Sequence, residues 1–450
     1  MTSSFSGLTN ALTALNAARY GLDVTGQNIS NANTPGYVRQ RAELTEAGGV
    51  AGVAQLYATQ HPDSTVTVSG TTRLNDPVVD MRARSEHGKN GYLQTAAGTM
   101  SSVQNLFDEP SSNGLTEQLN NFWNAWATVA NNPGDTAARN VVLQQAAGVA
   151  GWLNESAASL QSVSDSLAQG ATSSVNQINT ATGELAQLNG SIAVNNATGH
   201  VDNSLLDRRD SLMMSLSDLA GATSTINADG TATVSIGGQT VVSSTTATTV
   251  GLDPSNNLLV GGTPAATAGG QLQAQLDGLS TTVPNYQNQL DQVAAALAST
   301  VNGAQASGYD LSGNPGAPVF SGSTASTVSV VMTDPSQLAA SGTPGGNLDG
   351  SVALANSKLG SSASGPNGSY LALIGNLGTE AQRVTQQAGV QQSVTTSVDN
   401  LADSSSGVSI DEETTNLLTY QRAYQASSRV LTTVDETLDT LINHTGRAGL

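Results

Sequence analysis

The chain has 450 residues, a net charge of −19 and no cysteine, and only Lys89 and Lys358 are lysines. Phosphate binding needs clustered cations, so this balance predicts neither a nucleic-acid partner nor an anionic membrane surface. The missing thiols exclude disulfides and thiolate metal sites, and an aromatic content of 4% points to long helices and polar loops with modest cores.

The first element is a helix over residues 4–31, about 40 Å long. Its apolar positions Phe5, Leu8, Leu12, Leu15, Leu22 and Ile29 step by threes and fours, with Arg19 and Gly26 interrupting the stripe. That period marks a helix that buries a seam against another helix. Asn31, Asn33, Pro35 and Gly36 stop it, and Pro35-Gly36 suits the centre of a type II turn. Tyr37 to Gln40 then reads as an extended strap. Residues 42–75 look extended, with alternation at 64–68.

Asp76-Pro77 opens a second helix that runs to about Phe107. Leu115, Leu119, Phe122, Trp123, Trp126 and Val129 define a third, whose tryptophans read as core. Asp135 caps a long fourth helix, in which the three-four alternation persists from Ala150 to Ile192. A shorter helix covers Ser204–Leu219, and the charges of Leu205-Leu206-Asp207-Arg208-Arg209-Asp210 are expected to form surface pairs worth tenths of a kcal/mol.

From Gly221 the period changes to two, and Asp229-Gly230 and Gly237-Gly238 are hairpin signals. A small β unit over 221–267 is therefore expected. Helical spacing returns from Leu272 to Leu297, with Pro284 forcing a kink or restart. Residues 303–350 are loop-rich, with a possible strand at Val328–Met332, and Ser369 to about Leu401 is helical. Ser404-Ser405-Ser406-Gly407 reads as a flexible joint. The last helix carries the same repeat as the first, through Leu417, Tyr420, Tyr424, Ser427, Leu431, Val434, Leu438 and Leu441. Neither terminal stripe can be buried by its own helix, so the two are expected to pair with each other and then with other subunits.

The fold class expected is mainly α. Terminal helices (1–40 and 405–450) form a coiled-coil layer, a long-helix bundle (41–220 and 268–404) forms the middle, and 221–267 is a β insertion. No secretory signal is expected, since residues 1–18 lack Lys, Arg and a continuous apolar run. No apolar stretch is long enough to predict a membrane span.

No catalytic constellation is visible. His61, His87, His200 and His444 lack metal-ligand spacing, and His200 beside Asp202 reads as a polar loop. Asp310 to Gly316 lacks the alternating carboxylates of a calcium loop. No phosphate-binding loop or nucleophile elbow occurs. No catalytic residue, metal or cofactor is expected.

The ten-residue string from Asn28 to Tyr37, with Asn28, Asn31, Asn33, Pro35, Gly36 and Tyr37 as its marked positions, resembles the N-terminal motif of the flagellar rod, hook and hook-associated proteins. Gly407 to Glu413, Tyr420 to Ala426 and Asp435 to Gly446 resemble the C-terminal strings of the same axial family, closest to its hook–filament junction members, as does Leu205 to Asp210. The likeness covers roughly 1–41, 203–219 and 407–446. Larger members carry more β material after the helix near residue 300, so the outer part is expected to be reduced here.

The resemblance implies a self-assembling structural component of the bacterial flagellum, not an enzyme, placed outside the cell between hook and filament. It implies a ring of copies of this chain, contacts with the hook protein and a second junction protein, and type III export with a chaperone for the C-terminal helix. A hook or distal rod protein is the nearest alternative. A displayed enzyme or adhesin would need a polar cluster in 221–262, where the sequence shows none.

Overall fold

The computed structural model describes residues 4–47, 65–266, 269–345 and 349–444. His61 and Ser64 lie outside the described residues, as do the side chains of Phe5, Leu441 and His444.

Helix α1 (Ser4–Asn31) ends in a turn that Gly36 closes at φ +78°, a region open to glycine. Strands β1 (Gln40–Ala47) and β2 (Thr65–Arg73) then form an antiparallel ribbon, irregular between Glu43 and Leu44 opposite Gly70. Asp76 caps α2 (Pro77–Phe107) by accepting the Val78 amide at 2.9 Å. Helices α3 (Leu115–Asn131), α4 (Thr136–Ala197) and α5 (Asn203–Ala220) follow, with Asp135 and Asp202 as N-caps of the last two.

The β unit is two small antiparallel sheets. One is β3 (Thr223–Ile226), β4 (Ala232–Ile236), β5 (Gln239–Ser243) and β6 (Thr246–Ala247). The other is β7 (Val250–Leu252), β8 (Leu258–Val260) and β9 (Thr263–Pro264). Gly237 and Gly238, at φ +56° and +79°, make the two-residue turn between β4 and β5. Helix α6 (Gly270–Asp277) passes through a π turn at Gly278–Thr282 into α7 (Val283–Ala306). Pro284 lacks the amide to continue an α ladder, so the register changes just before it.

Within 303–350 the regular strands are β10 (Phe320–Ser321) and β11 (Ser329–Val330), shorter than the strand expected at Val328–Met332. Helix α8 (Ser351–Ser357) precedes α9 (Pro366–Ser406), and α10 (Ile410–Asp439) ends in a π turn at Thr440–His444. The expected joint is corrected. Ser404, Ser405 and Ser406 form the last turn of α9, and their hydroxyls bond back to the carbonyls of Leu401 and Ala402 in the same helix. The break falls at Gly407–Ser409.

The 62 residues of α4 extend about 90 Å and run through two apolar cores. From Ala138 to Leu160 it packs with α2, α3 and α7, in a core that α8 and α9 also enter, around Phe107, Phe122, Trp123, Trp126, Phe320 and Tyr370. From Ala171 to Ile192 it packs with α5, α6 and the strands, around Leu212, Leu216, Val234, Val242 and Leu272. The tryptophans are core: Trp123 and Trp126 are buried, and Trp123 Nε1 donates to Asn367 Oδ1 at 2.8 Å. Small residues along α4, such as Ala146, Ala150, Ala171 and Ser174, let these neighbours approach closely.

The terminal helices α1 and α10 pack antiparallel along their length. Two contacts fix their register: Asn28 meets Glu413, and the Tyr420 ring lies on Gly21. A Cβ at Gly21 would sit 2.5 Å from that ring. Gly21→Val should therefore push the helices apart at a local cost of about 1–3 kcal/mol. Limited proteolysis should cut 4–31 and 410–444 faster in the variant, while calorimetry finds the melting of the bundle unchanged.

Candidate assembly site

The terminal pair is held at its base by an Asn whose amide is fully satisfied. Asn28, 1% exposed, donates from Nδ2 to the Gln40 carbonyl at 2.8 Å and to Glu413 Oε2 at 3.0 Å. Its Oδ1 accepts the Tyr37 hydroxyl at 2.8 Å and the Gln40 amide at 3.0 Å. A side-chain amide offers two donors and an acceptor with two lone pairs, and all are used. One residue thus ties the end of α1, the strap after it and the first turn of α10. Asn31 turns inward on its own helix, donating to the Gln27 carbonyl at 3.0 Å and accepting from Thr34 Oγ1 at 3.3 Å.

Arg39 completes the joint. Its Nε donates to Glu413 Oε1 at 2.7 Å and its Nη1 to Glu412 Oε2 at 2.6 Å. Its backbone amide bonds the Ser406 carbonyl at 2.9 Å, at the end of α9. Burial opposes the Arg39 charge, but the bonds to Glu412 and Glu413 outweigh it and hold its pKa above the ordinary value. Burial, with the charges of Asp207 and Glu413, pushes the Tyr37 hydroxyl up to about 12, so it stays a donor to Asn28. Glu412 and Glu413 also stand in the first turn of α10, where negative charge favours the helix dipole, and Ser409 caps that turn.

Helix α5 grips the strap from the other side. Asn203 Nδ2 donates to Gln40 Oε1 at 3.0 Å, and Arg73 at the end of β2 pairs with Asp207 and Asp210, each at 2.8 Å. Arg209 bonds Asp210 at 2.8 Å and reaches the Gly230 carbonyl at 2.6 Å, in the turn between β3 and β4. The surface pairs expected of this segment are corrected here. Arg73 and Arg209 side chains are 6% and 5% exposed, and burial raises the Asp207 carboxyl despite Arg73. Arg208 alone of the string matches the expectation, in an exposed pair with Glu184.

The heptad residues fall in two groups. On α10, Leu417, Tyr420, Leu431, Val434 and Leu438 are half-buried, Tyr420 against Gly21 of α1, and Tyr424 is 38% exposed. On α1 the buried residues are Ala11, Ala17, Ala18, Gly21, Val24, Thr25 and Asn28, most of them one position before the expected stripe, and Gly21 and Asn28 meet α10 directly. Leu8, Leu15, Leu22 and Ile29 lie half-buried beside the seam, and Leu12 is 49% exposed. The interruptions at Arg19 and Gly26 have the same cause, since Ala18 and Thr25 fill the seam there. Asn33, Pro35 and Gly36 are exposed, along a cleft shared with Asp403, Val408 and Glu412.

The polar groups considered in the sequence stand apart from one another. His200 is exposed, with Nδ1 3.1 Å from the Thr198 carbonyl, while Asp202 accepts the Ser204 amide as a helix cap. Asp310 is spent on the Ser312 and Asn314 amides. Among the described residues no cluster of three His, Asp or Glu could hold a metal, and no helix is long and apolar enough to cross a membrane.

Three family models, all of flagellar proteins, match the chain. The family model for the flagella basal body rod protein matches residues 8–37, and that for the C-terminal part of the basal body rod FlgEFG proteins matches 401–444. Between them, the model for the helical domain of flagellar hook-associated protein FlgK matches 100–320. Flagellar hook-associated protein 1 of Bacillus subtilis is 29% identical across the whole of both chains. Its Escherichia coli counterpart is 24% identical over 97% of this chain and 99% of its own. The structure of the flagellar hook junction protein FlgK from Burkholderia pseudomallei shares the fold at a TM-score of 0.65 and 17% identity, over 71% of this chain and 99% of that one. The chain belongs to the flagellar hook-associated protein 1 family, structural proteins of the bacterial flagellum.

Arg39→Ala leaves Glu413 buried without its cation, a loss of about 3–5 kcal/mol at the joint. The expected outcome is detachment of the α1–α10 pair with the bundle intact. It is read as rapid amide exchange confined to 4–40 and 407–444.

Proposed function

We propose that this chain joins the hook to the filament of the flagellum, outside the cell, as a ring of copies packed through the terminal helices. The observation that carries the reading is the apolar stripe of α1 that the chain leaves only partly covered: half-buried Leu8, Leu15, Leu22 and Ile29 and exposed Leu12, with Phe5 in register. Such a face gains about 1.5–3 kcal/mol for each Leu that a neighbour buries. Half-buried Leu417, Tyr420, Leu431, Val434 and Leu438, with Tyr424 and the in-register Leu441, complete the proposed assembly face. The motif residues Asn28, Asn31, Asn33, Pro35, Gly36 and Tyr37 set the angle at which this face leaves the bundle.

The partners proposed are a second copy of the chain, the hook protein and a second junction protein. A type III export chaperone holds the C-terminal helix before assembly. The chain acts mechanically and is not an enzyme. The terminal layer is 1–40 and 405–450, the helical middle is 41–220 with 268–404, and 221–267 is a β appendage. The match of the hook-associated helical domain to 100–320 favours this over a hook or rod protein.

Leu12→Asp separates assembly from folding, because Leu12 is off the α1–α10 seam. The purified variant should keep wild-type circular dichroism and melting, and the cells should lose their filaments in a swim assay. Leu431→Asp strikes the seam itself and should also abolish swimming. Exposed Asp439, whose carboxylate accepts from Asn443 in its own helical run, supplies the control, and Asp439→Ala should swim normally. A swimming Leu12→Asp strain refutes the assembly face.

A further inference from the structure

His87 on α2 stands between two carboxylates that belong to different helices. Its Nε2 is 2.9 Å from Asp399 Oδ1 on α9, and its Nδ1 is 3.4 Å from Asp218 Oδ1 on α5. A neutral imidazole carries one N–H and can donate to one of them; only the imidazolium donates to both. The two helices lead to the two sides of the terminal joint. Helix α5 holds the strap through Asn203 and Asp207, and α9 ends at Ser406, whose carbonyl takes the Arg39 amide.

We propose that His87 is a proton-operated clasp that locks α5 to α9, and so fixes the terminal pair on the bundle while the imidazole is charged. When the proton leaves, one carboxylate loses its donor and both lose the cation between them. The joint then keeps its Asn28 and Arg39 contacts, but its two supports are free to part.

The surrounding charges leave His87 to these two acids. On its own helix Glu86 is engaged by Lys89 at 3.0 Å and by Gln391 at 2.7 Å. Arg84 faces Asp80 and Asp210, and Asp277 on α6 accepts the Tyr92 hydroxyl. The bond to Asp218, opposed by burial and aided by Asp399, raises His87 from 6.5 to about 9. A folded pKa above the unfolded one means the clasp contributes fully below about pH 6.5. Its contribution declines as pH rises and is gone once pH passes the folded value.

The test uses the full chain, in which two introduced cysteines are the only thiols. Ser215→Cys on α5 and Asn400→Cys on α9 are exposed positions for spin labels. The expected distance distribution is narrow at pH 7 and broad at pH 10. With His87→Gln it should be broad at both, and with His87→Arg, which stays charged, narrow at both. A histidine resonance absent from His87→Gln should titrate near pH 9 in the wild type, a readout that stands even if the variant folds poorly. A distribution indifferent to His87→Gln, or a resonance that titrates near 6.5, overturns the proposal.

Discussion

Glu413 is the constraint on which the arrangement of the molecule depends. It is the one buried residue of α10 among those described, and it is a carboxylate. Burying that charge is costly unless it is paired and hydrogen-bonded. Arg39 neutralises one oxygen and the Asn28 amide bonds the other. The pairing is demanding in direction, so α1, the strap and α10 can meet in few orientations. An apolar contact at the same place would hold the helices together without fixing their angle. For a subunit whose end helices must line up with those of its neighbours, the angle matters more than the adhesion.

The same logic runs outward from the joint. Gln40 is shared: its backbone serves Asn28 and its side chain serves Asn203 on α5. Asp207 and Asp210 then hold Arg73, and Arg209 reaches the β unit at Gly230. A chain of directional contacts therefore links the terminal pair to the second core of α4 and to the small sheets. The first core, built on Phe122, Trp123 and Trp126, lies at the other end of α4 and takes no part in it. Rigidity over that distance comes from α4 itself, which passes through both cores without a break.

Much of this was legible in the chain. The helices, the hairpin glycines and the tryptophan core follow from period and composition, and the Asn28–Tyr37 string marked where α1 stops. What the sequence hid is what long-range contacts decide. Arg39 sits in a short extended strap with no periodicity, and Glu413 lies 374 residues away. The available signal was a lone cation after a helix stop and an acidic pair opening the last helix, and its pairing could not be read locally. The string Asp207 to Asp210 reads as a solvated helix face, because four consecutive charges are ordinarily left in water. Only the fold shows Arg73 arriving from β2 to bury it. The serines at 404–406 read as a linker by composition, yet each hydroxyl finds a carbonyl in its own helix.

The one-residue offset on α1 has a physical reason. A sequence reading assigns the largest apolar residues to the seam, since they gain most from burial. Here the buried apolar positions of α1 are mostly small, Ala11, Ala17, Ala18 and Gly21 beside Val24, and the leucines are half-buried or exposed. Small residues let the helix axes approach, as Gly21 does beneath the Tyr420 ring. Two helices packed this way leave their bulkiest side chains on the flanks, where one partner cannot cover them. The arrangement weakens the isolated pair and gives each copy more to gain from the next. A seam filled with leucines would make a better two-helix hairpin and a poorer subunit, because its apolar surface would already be spent inside the chain. Directional polar contacts at the base and small residues in the seam are therefore two parts of one solution: the first sets the pose of the end helices, and the second keeps their adhesive face open.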